Sequence, residues 1–141
     1  MTWFRGIAFS LVAWVAVGVF WFALTRGYHP SLALAVIVTT SLVMAYAAAA
    51  YINQLVLIPQ CWASRQWRRY WWWLLTTMVA LTLVALAVIR VSYNALWGPD
   101  TDPYGVIKHF AIDFFGMSVH LGGAGMVVWF VQKVVAPARV R

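Results

Sequence analysis

His120 is the side chain whose neighbours best equip it for chemistry. In a helix, Gly116, Gly123 and Ala124 occupy its i−4, i+3 and i+4 positions, so the surface beside the imidazole is nearly bare. Such a cleft suits axial ligation of a planar tetrapyrrole, a haem or (bacterio)chlorophyll, whose ring needs room against the backbone; a carotenoid contact is a related expectation. It suits equally a close helix crossing with the histidine hydrogen-bonded across it. A lone histidine is a weak ligand signal, and no second histidine lies at matching depth. Packing is therefore the first expectation and cofactor binding by His120 the alternative. His29 and His109 fall at the ends of apolar segments and are expected to be solvated.

Asp113 is the only acidic residue inside an apolar segment, and a carboxylate in hydrocarbon needs a partner. Arg90 lies about 19 residues from the basic end of its segment and Asp113 about 20, so both reach roughly 30 Å at about 1.5 Å per residue. A structural Arg90–Asp113 ion pair is the expectation. A proton relay needs further carboxylates, and the other two, Asp100 and Asp102, sit in a Pro/Gly-rich turn. Two carboxylates without further oxygen ligands are weak evidence for calcium, and no Cys/His cluster has metal-ligand spacing, so no metal is expected. The single cysteine, Cys61, cannot form an internal disulfide. No catalytic constellation emerges, and the expectation is a protein that is not an enzyme.

The elements that position these residues are apolar throughout. Of 141 residues, 65% are hydrophobic and 9% charged, against roughly 25% charged in a soluble domain. A bilayer core roughly 30 Å thick takes about 20 helical residues. Four segments qualify, at about 6–24, 31–58, 70–89 and 110–131. The second opens at Pro30-Ser31 and is long, so it is expected to tilt or to end in an interfacial turn near Asn53 and Pro59. Gly6 to Thr25 exceeds the roughly 7–15 residues of a signal-peptide core and reads as a retained span. The runs lack period-two polarity, which excludes a membrane barrel. The expected architecture is one all-α polytopic domain, 1–141, with four transmembrane helices.

Charge placement orients it. With four crossings, Arg5, Arg65, Arg68, Arg69, Lys133, Arg139 and Arg141 share one side, while Arg26, Arg90 and Lys108 lie opposite with Asp100 and Asp102. The positive-inside rule puts both termini in the cytoplasm of a bacterial inner membrane. The net charge of +7 thus reads as topology signal and lipid attraction, with Arg65, Arg68 and Arg69 on headgroups, not as nucleic-acid binding. Trp3, Trp62, Trp67, Trp71, Trp72, Trp73 and Trp129 fall at the same interface as an aromatic belt, with Tyr93 and Trp97 marking the other.

Two ridges of small residues, Ser118, Gly122 and Gly125 in the fourth segment and Ser41, Ala45 and Ala49 in the second, let helices approach closely. These segments are expected to touch each other or a neighbouring subunit.

Tyr51-Ile52-Asn53-Gln54-Leu55-Val56-Leu57-Ile58-Pro59, followed by Arg65, Arg68, Arg69 and Tyr70, resembles the Y-[IL]-N-x-x-x-L-[IV]-P segment in the membrane region of LytS/YehU-type sensor histidine kinases. The close match covers about 20 residues, and the four-span layout matches loosely over the chain. In that family the segment ends the second helix of a hairpin, and a basic loop leads into the next span. The resemblance implies a shared membrane module. The family's phosphoacceptor and ATP-binding domains would follow the last span, beyond Arg141, so kinase activity is not expected of these residues.

The leading functional expectation is a non-catalytic accessory subunit of a larger membrane complex, photosynthetic or respiratory, with lipids and other membrane subunits as partners. A sensory or signal-relay module and a tetrapyrrole-binding protein are alternatives. A transporter is a poorer one, since no soluble substrate or path for it is evident.

Overall fold

A computed structural model describes residues 2–99 and 105–130, with side chains for 11–99 and 105–126. Within them the chain is all helical. Helix α1 spans Thr2–Thr25 and a 3₁₀ turn follows at Arg26–Tyr28. Helix α2, Leu32–Ile52, runs without a break into a π-helical segment, Asn53–Trp62. Helices α3, Trp67–Leu96, and α4, Gly105–Phe130, complete the chain. Three stretches, Leu11–Tyr28, Leu32–Trp62 and Trp67–Leu96, are long and apolar enough to cross a membrane.

Local chemistry accounts for the boundaries. Ser31 caps α2 by accepting from the Leu34 amide at 3.2 Å, the usual service of a serine Oγ to a helix's orphan donors. Proline has no N–H and its ring clashes with the preceding turn of an α-helix. Of the two alternatives for this long segment, the turn near Asn53 and Pro59 does not form: the helix widens to π geometry around Pro59 and continues to Trp62. It then closes in a Schellman arrangement, with Gln66 N–H donating to Cys61 O at 2.9 Å and Arg65 N–H to Trp62 O at 3.0 Å. Arg65 holds the left-handed position, φ 58°, where glycine is usual. At the end of α3 a glycine, Gly98, takes the positive φ of 120°.

Helix α2 is the hub, packing on α1, α3 and α4. Its buried face carries Leu34, Ala35, Val38, Ala45, Tyr46 and Ala49, and the centre is filled from α3 and α4 by Tyr70, Leu74, Met78, Ala85 and Met117. Outward faces are just as apolar: Val12, Val15, Val19, Leu55, Val84, Val91, Ile107 and Phe115 are all exposed. A helix hydrophobic all round needs an apolar surrounding on every side, and so much exposed apolar surface does not suit water. One buried hydroxyl, Thr39 Oγ1 on α2, has no hydrogen-bond partner among the described residues.

Candidate functional site

His120 lies at the crossing of three helices. Tryptophan N–H only donates, so the 2.9 Å contact between Trp21 Nε1 on α1 and His120 Nε2 makes Nε2 the acceptor. The proton then sits on Nδ1, which donates to Gly116 O, one turn back, at 2.7 Å. Tyr46 of α2 stacks on the imidazole, with centroids 4.6 Å apart and planes 25° from parallel. Both ring nitrogens and one ring face are thus engaged within the protein.

The bare cleft foreseen beside His120 is half filled. A Cβ on Gly116 would come within 2.6 Å of Tyr46 Oη, whereas one on Gly123 would meet nothing within 4 Å. Glycine at 116 therefore makes room for a tyrosine of α2, and the part of the cleft next to the imidazole holds that phenol. Ala124 is half-buried farther along.

Arg90 and Asp113 are not brought together: no ion pair joins them among the described residues. Asp113 is half-buried on α4. Matching depth did not suffice, because pairing also requires both residues to face the same helix crossing.

The two small-residue ridges part company. Ala45 and Ala49 are buried in the core with Ser41 half-buried beside them, and α2 does contact α4. That contact uses Gly116 and His120, whereas Ser118, Gly122 and Gly125 lie on another face of α4, roughly half a turn from Gly116 at 3.6 residues per turn. They line a groove of about 470 Å³ with Asn53, Ile58, Trp62, Tyr70, Trp71, Leu74, Met78 and Leu121. Cβ atoms on Gly122 and Gly125 would meet nothing within 4 Å. The glycines border open space instead of a packed neighbour.

Asn53 and Tyr70 close the inner wall of this groove. The Tyr70 hydroxyl donates to Asn53 Oδ1 at 2.9 Å, with both residues buried. Widening to π geometry shifts the register of the side chains that follow, and π segments frequently mark functional sites. Here that segment supplies Asn53, Ile58 and Trp62 to the groove. Beyond it Trp62, Trp67, Trp71, Trp72 and Trp73 are all exposed at one end of the bundle, with Trp62 and Trp67 edge to face at 4.0 Å. Arg65, Arg68 and Arg69 are exposed at the same end. A second, shallower cleft of about 320 Å³ is formed there by Arg68, Trp71, Trp72 and Leu75.

No protein-family model, curated protein or solved structure matches the chain.

At the other end of the bundle His29 is half-buried and bonded through Nδ1 to Tyr93 Oη at 2.6 Å. It is not the solvated edge histidine that its loop position implied, and burial lowers its pKa from the usual 6.5. Nothing in the sequence marked Tyr93 as its partner beyond an aromatic at similar depth. His109 is exposed. Asp100 and Asp102, the tail cations from Lys133 onward, and the side chains of Arg5, Trp3 and Trp129 lie outside the described residues. Among the described residues no three His, Cys, Asp or Glu side chains gather to hold a metal ion.

Proposed function

We propose that this chain is a four-span protein of a bacterial inner membrane, with both termini cytoplasmic, that serves as a non-catalytic accessory subunit of a larger membrane assembly of photosynthetic or respiratory type. One observation carries the reading. The polar groups most capable of chemistry bond one helix to the next, Trp21 to His120 and Tyr70 to Asn53, while the outward faces are a continuous apolar surface. Hydrogen bonds spent between helices fix a bundle's shape; an apolar exterior is what lipid tails and neighbouring spans contact. The fourth span, within α4, carries Asp113, a carboxylate costly in hydrocarbon, so its insertion is helped by the neighbours that cover it.

Solubilising the membrane gently and identifying by mass what co-purifies tests the assembly. The expected result is a stoichiometric set of other membrane subunits; a chain that runs alone and brings nothing with it overturns the reading. Reporter fusions at each end test the topology, and termini on opposite faces would exclude four crossings.

A second reading, a signal-relay module, draws on one feature. The segment that resembles sensor kinases, Tyr51–Pro59, coincides with the switch from α to π geometry, a place where a helix can change register. A kinase among the co-purifying proteins would favour relay over a structural role.

A further inference from the structure

We propose that the groove between α4 and the π segment with α3 is a binding site for one anionic phospholipid. The inference rests on the membrane reading above and adds a defined ligand to it.

Three features converge. Asn53 is 6% exposed, its Oδ1 is taken by the Tyr70 hydroxyl, and its amide nitrogen has no partner among the described residues, yet the residue lines the groove. An unpartnered amide donor beside hydrocarbon is costly, and an ester carbonyl is the acceptor that a lipid brings to that depth. From Asn53 and Tyr70 the groove runs inward along Leu74 and Met78, faced by Ser118, Leu121, Gly122 and Gly125. Tyr70 to Met78 is about 12 Å of helix, an apolar slot for an acyl chain with backbone-level smoothness on the glycine side. In the opposite direction Trp71 is shared with the shallower cleft that Arg68 lines. Arg68, which lines that cleft, and the exposed Arg69 and Arg65 precede Tyr70 by two, one and five residues, where a phosphate would sit above its glycerol esters. Donor, slot and cations thus occur in the order of carbonyl, chain and phosphate in a single lipid. A neighbouring helix would satisfy the slot but has no need of the arginines.

Delipidated protein in mild detergent, titrated with phosphatidylglycerol and separately with phosphatidylcholine and counted by native mass spectrometry, tests the site. The expected result is one retained phosphatidylglycerol per chain, held more tightly than phosphatidylcholine. Gly122→Leu or Gly125→Leu, which place a side chain in the slot without meeting protein, should each weaken binding about tenfold. Gly123→Leu, the same change on the same helix but outside the groove, should leave binding unchanged. Arg68→Gln with Arg69→Gln should erase the preference between the two lipids. Equal binding of both lipids by the unaltered protein, or equal effects of the Leu substitutions at 122 and 123, overturns the proposal. So does a photo-crosslinker at position 125 that captures a polypeptide in native membranes instead of lipid. Alkaline extraction separates the two levels: release from vesicles defeats the membrane reading, whereas retention without a lipid adduct defeats this site alone.

Discussion

The Tyr46 hydroxyl occupies the space in which a side chain at Gly116 would begin, so that a Cβ there would lie 2.6 Å from Oη and 3.4 Å from Cζ. The α2–α4 crossing is close at this point, and the tyrosine that fills it stacks on His120. Gly116→Ala forces the phenol or the helix to move and should cost about 1–3 kcal/mol, the range for overpacking. Tyr46→Phe removes only the atom in closest conflict and should recover part of that loss. Thermal unfolding of both single variants and the double variant in detergent gives the coupling. Additive effects would mean that the two positions do not meet.

His120 acts here as a joint between α1, α2 and α4. His120→Leu leaves the Trp21 N–H without its acceptor, and should cost about 1 kcal/mol, typical of interhelical hydrogen bonds in membranes. Trp21→Phe should cost a similar amount for the bond, and the double variant less than the sum by about 0.5 kcal/mol or more. A ligand role makes a different claim, because Nε2 is free for iron or magnesium only if Trp21 lets go. Absorption spectra of the protein and of His120→Leu with added haemin should coincide. A Soret band present in the first and missing from the second would establish ligation.

Three of the four expected segments were legible as helices long and apolar enough to cross a membrane, because composition alone dictates them. Segment 70–89 falls within Trp67–Leu96, and 31–58 falls within Leu32–Trp62 except for its first residue, the cap Ser31, since nothing but helix satisfies a backbone surrounded by hydrocarbon. The Pro30-Ser31 start was equally readable, being a local cap. What stayed hidden was whatever depends on rotation about the helix axis. Arg90 and Asp113 matched in depth and still do not pair, and Gly122 and Gly125 matched a packing ridge yet border a groove. Helices apolar all round carry no amphipathic stripe to show which face turns inward. Gly116 was noticed as bare surface, but only the fold supplied Tyr46 to fill it. The π segment was hidden for another reason: Pro59 signals a break, and the sequence does not say whether a helix will bend, stop or widen.

Arg65 carries a left-handed backbone, φ 58°, in the position of a helix C-terminus that glycine favours. For an L-residue with a Cβ this costs roughly 1–2 kcal/mol, partly offset by glycine's greater freedom in the unfolded chain. Arg65→Gly should therefore stabilise the α2–α3 connection, raising overall stability by about 0.5–1 kcal/mol, while Arg65→Ala should not. A melting temperature that falls with glycine would show that the Arg65 side chain matters more than its backbone strain.

His29 gives the bundle a sensitivity to acid at the end opposite the Trp62–Trp73 cluster. Its pKa is lowered from 6.5 by burial, so the native state binds its proton less readily than the unfolded chain does. The stabilising contribution is then fully present above 6.5 and is lost as the pH falls through the lowered folded value. Stability followed by thermal unfolding should be level above that point and decline below it. His29→Gln removes the titrating group and should flatten this part of the profile, while Tyr93→Phe, which takes away the 2.6 Å partner, should lower stability above the transition and retain a histidine-dependent slope. A profile of unaltered steepness in His29→Gln would place the acid response elsewhere.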